Sequence, residues 1–109
     1  MQIKTLPIFD KKIKSLKKKN QNIKKDFLSF LEQLKNKPTN AIHIKGNVFK
    51  KRMQNSSNNK GKSSGYRVYY YYKSQDGIVV LLYIYTKKEF SNLSDEFVDE
   101  LVKECEAMF

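Results

Sequence analysis

The sequence predicts an α+β fold: an N-terminal helical hairpin packed on a small antiparallel β-sheet, with a C-terminal helix, in the order β-α-α-β-β-β-α. Three observations carry this. Apolar residues recur at helical spacing before residue 37, and β-favouring aromatic and aliphatic runs fill residues 41–85. An N-cap followed by an acidic amphipathic stretch then opens at Ser94.

Residues 1–6 read as a short strand closed by Pro7. Phe9, Ile13 and Leu16 then mark one helix face, with lysines at the other positions, up to a break at Asn20-Gln21-Asn22. Ile23, Phe27, Phe30, Leu31 and Leu34 stripe a second helix that Lys37-Pro38 ends. Ala41 to Lys45 and Val48 to Gln54 read as short strands around Gly46-Asn47. The polar stretch from Asn55 to Gly65 reads as a long hairpin loop. Tyr66 to Tyr72 is aromatic and β-favouring, and Asp76-Gly77 is a strong hairpin signal. Ile78 to Tyr85 is nearly all apolar, as a central strand covered on both faces requires. Phe97, Leu101, Cys105 and Met108 form the stripe of the last helix.

The length of 109 residues predicts one domain over residues 1–109. No run of eighteen apolar residues occurs, and the N-terminus lacks the long apolar region of a signal peptide, so the expectation is a soluble, cytoplasmic protein with no membrane partner. One cysteine excludes an internal disulfide, and no Cys/His cluster is spaced to hold a metal. No cofactor is expected.

The net charge is +11, and it is unevenly placed: residues 1–88 carry 21 basic and 4 acidic side chains, residues 89–109 carry 1 and 7. A basic body suggests a polyanionic partner. Twenty of the 22 basic residues are lysine, so the two arginines, Arg52 and Arg67, are the sharper guide. Asn59-Lys60-Gly61-Lys62-Ser63 is not a phosphate loop, because position 56 is Ser56 and a strand rather than a helix follows. His43 is the only histidine, which excludes a two-histidine ribonuclease, and Cys105 reads as a core residue. Period two puts Arg67, Tyr69 and Tyr71 on one face and Tyr66, Val68, Tyr70 and Tyr72 on the other. With Lys50 and Arg52 on the preceding strand, Lys60 and Lys62 in the loop, and Lys87 and Lys88 after the central strand, this is a candidate RNA surface.

Residues 61–71, Gly-Lys-Ser-Ser-Gly-Tyr-Arg-Val-Tyr-Tyr-Tyr, with Leu81 to Glu89 and Asn92-Leu93-Ser94, resemble the RelE/ParE superfamily of type II toxins, closest to the HigB-like branch. The resemblance implies a RelE-like fold and a toxin that inhibits translation. It implies a metal-independent mRNA endoribonuclease working in the ribosomal A site, where a ribose 2′-hydroxyl attacks the adjacent phosphate. Arg67 matches the family's phosphate-binding arginine, and Lys60 and Lys62 lie where its catalytic lysines fall. Lys87 and Lys88 match its basic pair, with Lys88 where an arginine is common. Arg52 matches a basic position of the preceding strand, and Lys50, Tyr69 and Tyr71 are further RNA-binding candidates. The tyrosine that some members use falls at Ser94 here. The implied partner is an antitoxin, helix-turn-helix and HigA-like. The same scaffold also carries ParE-like inhibitors of DNA gyrase, and a non-catalytic basic RNA-binding module is a third reading.

Overall fold

The computed structural model describes residues 1–57 and 65–109. Strand β1 (Gln2–Thr5) leads into helix α1 (Pro7–Lys19), where proline fits the first turn because its missing N–H has no helical partner. Helix α2 (Ile23–Asn36) completes the hairpin. Strands β2 (Ile42–Lys45), β3 (Val48–Met53), β4 (Tyr66–Lys73) and β5 (Ile78–Thr86) follow, then helix α3 (Asp95–Met108). Gly46 and Gly77 hold the β2–β3 and β4–β5 turns at φ +51° and +62°, which side chains with a Cβ rarely adopt.

The five strands form one sheet in the order β1-β5-β4-β3-β2. The α+β architecture matches expectation, with two corrections. Four strands separate the helical hairpin from α3, as the element-by-element reading has them but one more than the order β-α-α-β-β-β-α counts. The sheet is mixed rather than wholly antiparallel, because β1 runs parallel to β5, pairing Gln2 with Ile78 through Thr5 with Leu81. A chain whose first strand joins its last one through the intervening fold has that freedom of direction; alternation within a strand does not encode it.

Each face of the sheet has its own apolar core. On the hairpin side, Phe9 and Leu16 of α1 and Ile23, Phe30 and Leu34 of α2 pack on Met53, Tyr66, Val68, Tyr70, Val79, Leu81 and Ile84. On the other side, Val98, Leu101 and Cys105 of α3 pack on Val48, Tyr69, Tyr71, Val80, Leu82 and Tyr85. The buried stripe of α3 therefore runs through Val98 instead of Phe97, and Met108 is exposed. The Ser94 hydroxyl caps α3 by accepting from the Phe97 amide at 3.2 Å.

An irregularity in β5 decides what lies on each face. Tyr69 pairs with Tyr83, but the next residue, Tyr70, pairs with Leu81, so Leu82 is an extra residue. A β-bulge reverses the alternation beyond it. Val79 and Leu81 belong to the hairpin side, yet beyond the bulge Ile84 takes that side and Tyr85 turns to the α3 side.

Polar contacts tie the elbows together. Asn20, between α1 and α2, donates to Asn55 Oδ1 (3.0 Å) and the Tyr66 hydroxyl (2.8 Å), and buried Asp26 accepts from the Ser56 amide (2.9 Å). The helical elbow thus holds the stretch that follows β3. Lys12 of α1 reaches Glu89, just past β5, at 2.6 Å, while the other Glu89 oxygen accepts from the Thr86 amide at 2.8 Å. Partial burial works against both charges. For Lys12 the hydrogen bond and attraction of Glu89, with Tyr83, outweigh it and raise the pKa. For Glu89 the Lys12 and Thr86 contacts outweigh it and lower the pKa.

The lowered Glu89 pKa is stabilising above the ordinary carboxylate value of 4.5, and that contribution disappears as pH falls through the folded value. The raised Lys12 pKa contributes fully below 10.5 and is lost only as pH rises past it. Glu89→Gln should therefore lower stability by up to about 1 kcal/mol at neutral pH, a small figure because both side chains are partly exposed. In urea titrations the gap to wild type should close at pH well below 4.5; a gap independent of pH contradicts the ion pair's contribution.

Candidate phosphate-binding site

The site lies on the α3 side of the sheet, at the end that α3 leaves uncovered. Along β3 the same-face residues Val48, Lys50 and Arg52 pass from buried beneath α3 to half-buried beyond it. Two cross-strand rows form the floor: Arg52 opposite Arg67 opposite Tyr85, and Lys50 opposite Tyr69 opposite Tyr83. Residues directly opposite in antiparallel strands bring their Cβ atoms to about 4.5–5.5 Å, so the two guanidinium stems are neighbours. The bulge places Tyr85 in this row.

Arg67 is half-buried, with Nη1 donating to the Tyr66 carbonyl at 3.3 Å. Lys50 is half-buried and donates to Asn92 Oδ1 at 2.6 Å. Its pKa is lowered, first by burial and then by the positive charge of Arg67. Gly65 is packed beneath Arg52. A Cβ added there would lie 2.8 Å from the Met53 carbonyl oxygen, 2.9 Å from Arg52 Nε and 3.2 Å from Cζ. Gly65 has no positive φ, so the close approach rather than backbone freedom is what requires glycine.

The segment between β5 and α3 walls the site. The Tyr85 hydroxyl donates to the Ser91 carbonyl at 3.4 Å, and the Tyr69 hydroxyl accepts from the Leu93 amide at 3.3 Å. Burial, with Tyr69 nearby, pushes the Tyr85 phenol far up, and the Arg67 charge offsets only part of this. Tyr85 is thus a neutral donor, not a titrating group. Phe90 packs edge-on against Tyr85, with ring centroids 5.7 Å apart.

Of the residues singled out in the sequence, Arg67, Arg52 and Lys50 come together. Lys87 and Lys88 are exposed in the turn after β5, at the Tyr85 end of the row, and pair with no carboxylate among the described residues. Lys60 and Lys62 lie outside the described residues. Tyr69 and Tyr71 are a correction: their rings are 2% and 7% exposed, so neither can stack on a base. Alternation assigned their face correctly, but α3 covers that half of it, and the Tyr71 hydroxyl is engaged by Asn47 (3.2 Å) and Glu106 (3.4 Å).

The parts played by Asn92 and Phe90 were missed in the sequence, and that of Lys50 was read incompletely. Lys50 was read only as an RNA contact, since a strand pattern gives a face but not a pKa. Asn92 entered only as part of the Asn92-Leu93-Ser94 match, with no signal of its role. Phe90 had one: an aromatic in an otherwise polar Lys-Lys-Glu-Phe-Ser-Asn turn. No trio of His, Cys, Asp or Glu side chains that could hold a metal gathers among the described residues. A cavity of about 160 Å³, lined by Tyr71, Lys73, Ile78, Val80, Cys105, Glu106 and Phe109, lies toward the other end of β4 and contains none of the clustered cations. No helix among the described residues is long and apolar enough to cross a membrane.

Chemically, two permanently charged forks and one lysine of lowered pKa suit a phosphodiester: arginine grips phosphate oxygens in pairs, and a lysine of lowered pKa is the better placed to accept a proton. The fold is shared with a double arginine-to-alanine mutant of the E. coli toxin RelE in the free state. That structure superposes with a TM-score of 0.58 over 94% of each chain, at 16% identity. Comparison with curated proteins finds no match. The family model described as the RelE toxin of the RelE/RelB toxin-antitoxin system matches residues 7–108. The chain therefore belongs to the RelE toxin family.

Proposed function

We propose that this toxin is an mRNA endoribonuclease of the HigB-like branch, acting on transcripts held in the A site of translating ribosomes. The observation that carries the proposal is the Arg52–Arg67 row with Lys50 of lowered pKa beside it. In this reading Lys50, as a neutral amine, takes the proton from a ribose 2′-hydroxyl. The 2′-oxygen bonds to the adjacent phosphorus, and the bond from phosphorus to the 5′-oxygen breaks. The leaving oxygen takes a proton from a neighbouring ammonium or from water. Arg67 and Arg52 hold the non-bridging oxygens as charge builds on them. Lys87 and Lys88 grip the flanking backbone, and Lys60 and Lys62 belong to the same proposal. In this reading the ribosome aligns the RNA, and that positioning supplies much of the rate.

The family implies an antitoxin partner. We propose a helix-turn-helix, HigA-like protein whose acidic segment covers the basic row. Its complex should then weaken steeply between low and high salt; association indifferent to ionic strength contradicts charge masking.

Cleavage of translated mRNA, read by primer extension, should fall about 10²–10³-fold in Arg67→Ala, the usual loss for one donor to a charged transition state. Lys50→Arg keeps the charge but not the base, and should lose about 10²-fold or more. Because the neutral amine is the active form, the wild-type rate should rise with pH and level off below the ordinary lysine value of 10.5. Wild-type activity in Lys50→Arg would remove the proton-transfer role, and gyrase-linked DNA breaks with intact mRNA would refute the nuclease reading altogether.

Gly65→Ala forces the Met53 carbonyl or the Arg52 guanidinium to move. It should cost about 1–3 kcal/mol in denaturant titrations, and cleavage should drop even where the protein remains folded. Full activity in a folded Gly65→Ala protein contradicts the placement of Arg52 in the site.

A further inference from the structure

The cations of the site suit a phosphate backbone, and a base needs a different kind of surface. We infer that Phe90 is the nucleobase platform of this site, stacking on a base next to the phosphate held by Arg67; the inference rests on the RNA-cleaving reading above.

Elimination among the aromatics points to Phe90. Tyr69, Tyr71 and Tyr85 are buried. Tyr83 is partly buried and already engaged, by Phe97 in a T-shaped pair with centroids 5.1 Å apart and by Lys12, whose ammonium sits 5.5 Å from the ring centre. Among the described residues the large exposed aromatics are Phe90, 47% exposed, and Phe109, 44% exposed. Phe109 ends the chain beside Cys105 and Glu106, away from the cations. Phe90 instead rests edge-on against Tyr85, the direct cross-strand partner of Arg67. One side chain therefore separates its ring from the guanidinium.

The ring's mounting is rigid. The Phe90 amide reaches the Thr86 carbonyl at 3.4 Å. The next three residues are pinned by Tyr85 at Ser91, Lys50 at Asn92 and Tyr69 at Leu93. The part of the ring left exposed, in a turn that also carries Lys87, Lys88 and Glu89, gains nothing for folding. An aromatic face beside a cationic track is the arrangement by which proteins hold single-stranded RNA, since every base presents a π-face while the phosphates meet the cations.

The chain has no tryptophan, so Phe90→Trp installs a unique reporter in the full-length protein. The probe is a short single-stranded RNA with a 2′-deoxy substitution at the cleavable nucleotide, alongside the same strand carrying an abasic position. Binding is followed independently by anisotropy of an end label. The inference predicts saturable quenching by the intact strand, loss of quenching with the abasic one, and about tenfold weaker binding in Phe90→Ala and Phe90→Leu. Cleavage of translated mRNA should weaken in both and be retained in Phe90→Trp. Binding without quenching, or wild-type behaviour of Phe90→Leu, overturns the platform and leaves the nuclease reading standing. An effect of Phe90→Ala on the antitoxin complex alone likewise overturns it. Quenching by an RNA that wild type never cuts, on or off the ribosome, supports the platform while refuting the nuclease. No binding by any of the proteins overturns the platform and leaves the ribosome-dependent nuclease reading standing.

Discussion

Two guanidinium groups stand directly opposite each other where β3 meets β4. Like charges in opposed positions destabilise a sheet, and Lys50 on the same face of β3 adds a third cation. The fold retains this arrangement in a molecule of net charge +11. An anion bridging the row converts the repulsion into attraction. Burial first, and then the charge of Arg67, lower the pKa of Lys50.

The rest of the structure maintains the row. Two apolar cores, one on each face, fix the sheet between the helical hairpin and α3. Because α3 covers only part of its face, the remainder is left for the cations. The bulge at Leu82 turns Tyr85 to that side, where its hydroxyl and that of Tyr69 secure the segment from Phe90 to Leu93. The tyrosines act from beneath, as supports for the wall of the site. Gly65 serves similarly, since its missing side chain is the space that Arg52 occupies. On the opposite side Glu89 joins α1 to the turn that carries Lys87 and Lys88.

Much of this was legible in the sequence, for reasons that also explain what was not. Alternation along Tyr66 to Tyr72 gave the correct face for Arg67, because β4 is regular. It could not show that Tyr69 and Tyr71 are covered, since cover depends on where α3 lies and not on any property of β4. The apolar run of β5 reads as a doubly covered strand with or without an extra residue, so the bulge was invisible. The parallel pairing of β1 is a tertiary event between distant segments. The Asn20-Gln21-Asn22 break was recognisable, but its second task, holding Asn55 to Ser57, needs the fold. Lys60 and Lys62 were placed by resemblance through a long loop, and that is where residue-by-residue matching is weakest.

In the proposed mechanism a phosphodiester lies between the arginines with its 2′-hydroxyl near Lys50, and that arrangement dictates the chemistry of the cut. The most direct measurement is therefore the identity of the ends left on a cleaved transcript. Attack by the neighbouring ribose oxygen predicts a 2′,3′-cyclic phosphate, or the monophosphate formed from it by hydrolysis, facing a 5′-hydroxyl. A 3′-hydroxyl facing a 5′-phosphate would mean that water attacked from the other side, and the roles given to Lys50 and the arginine row would be wrong.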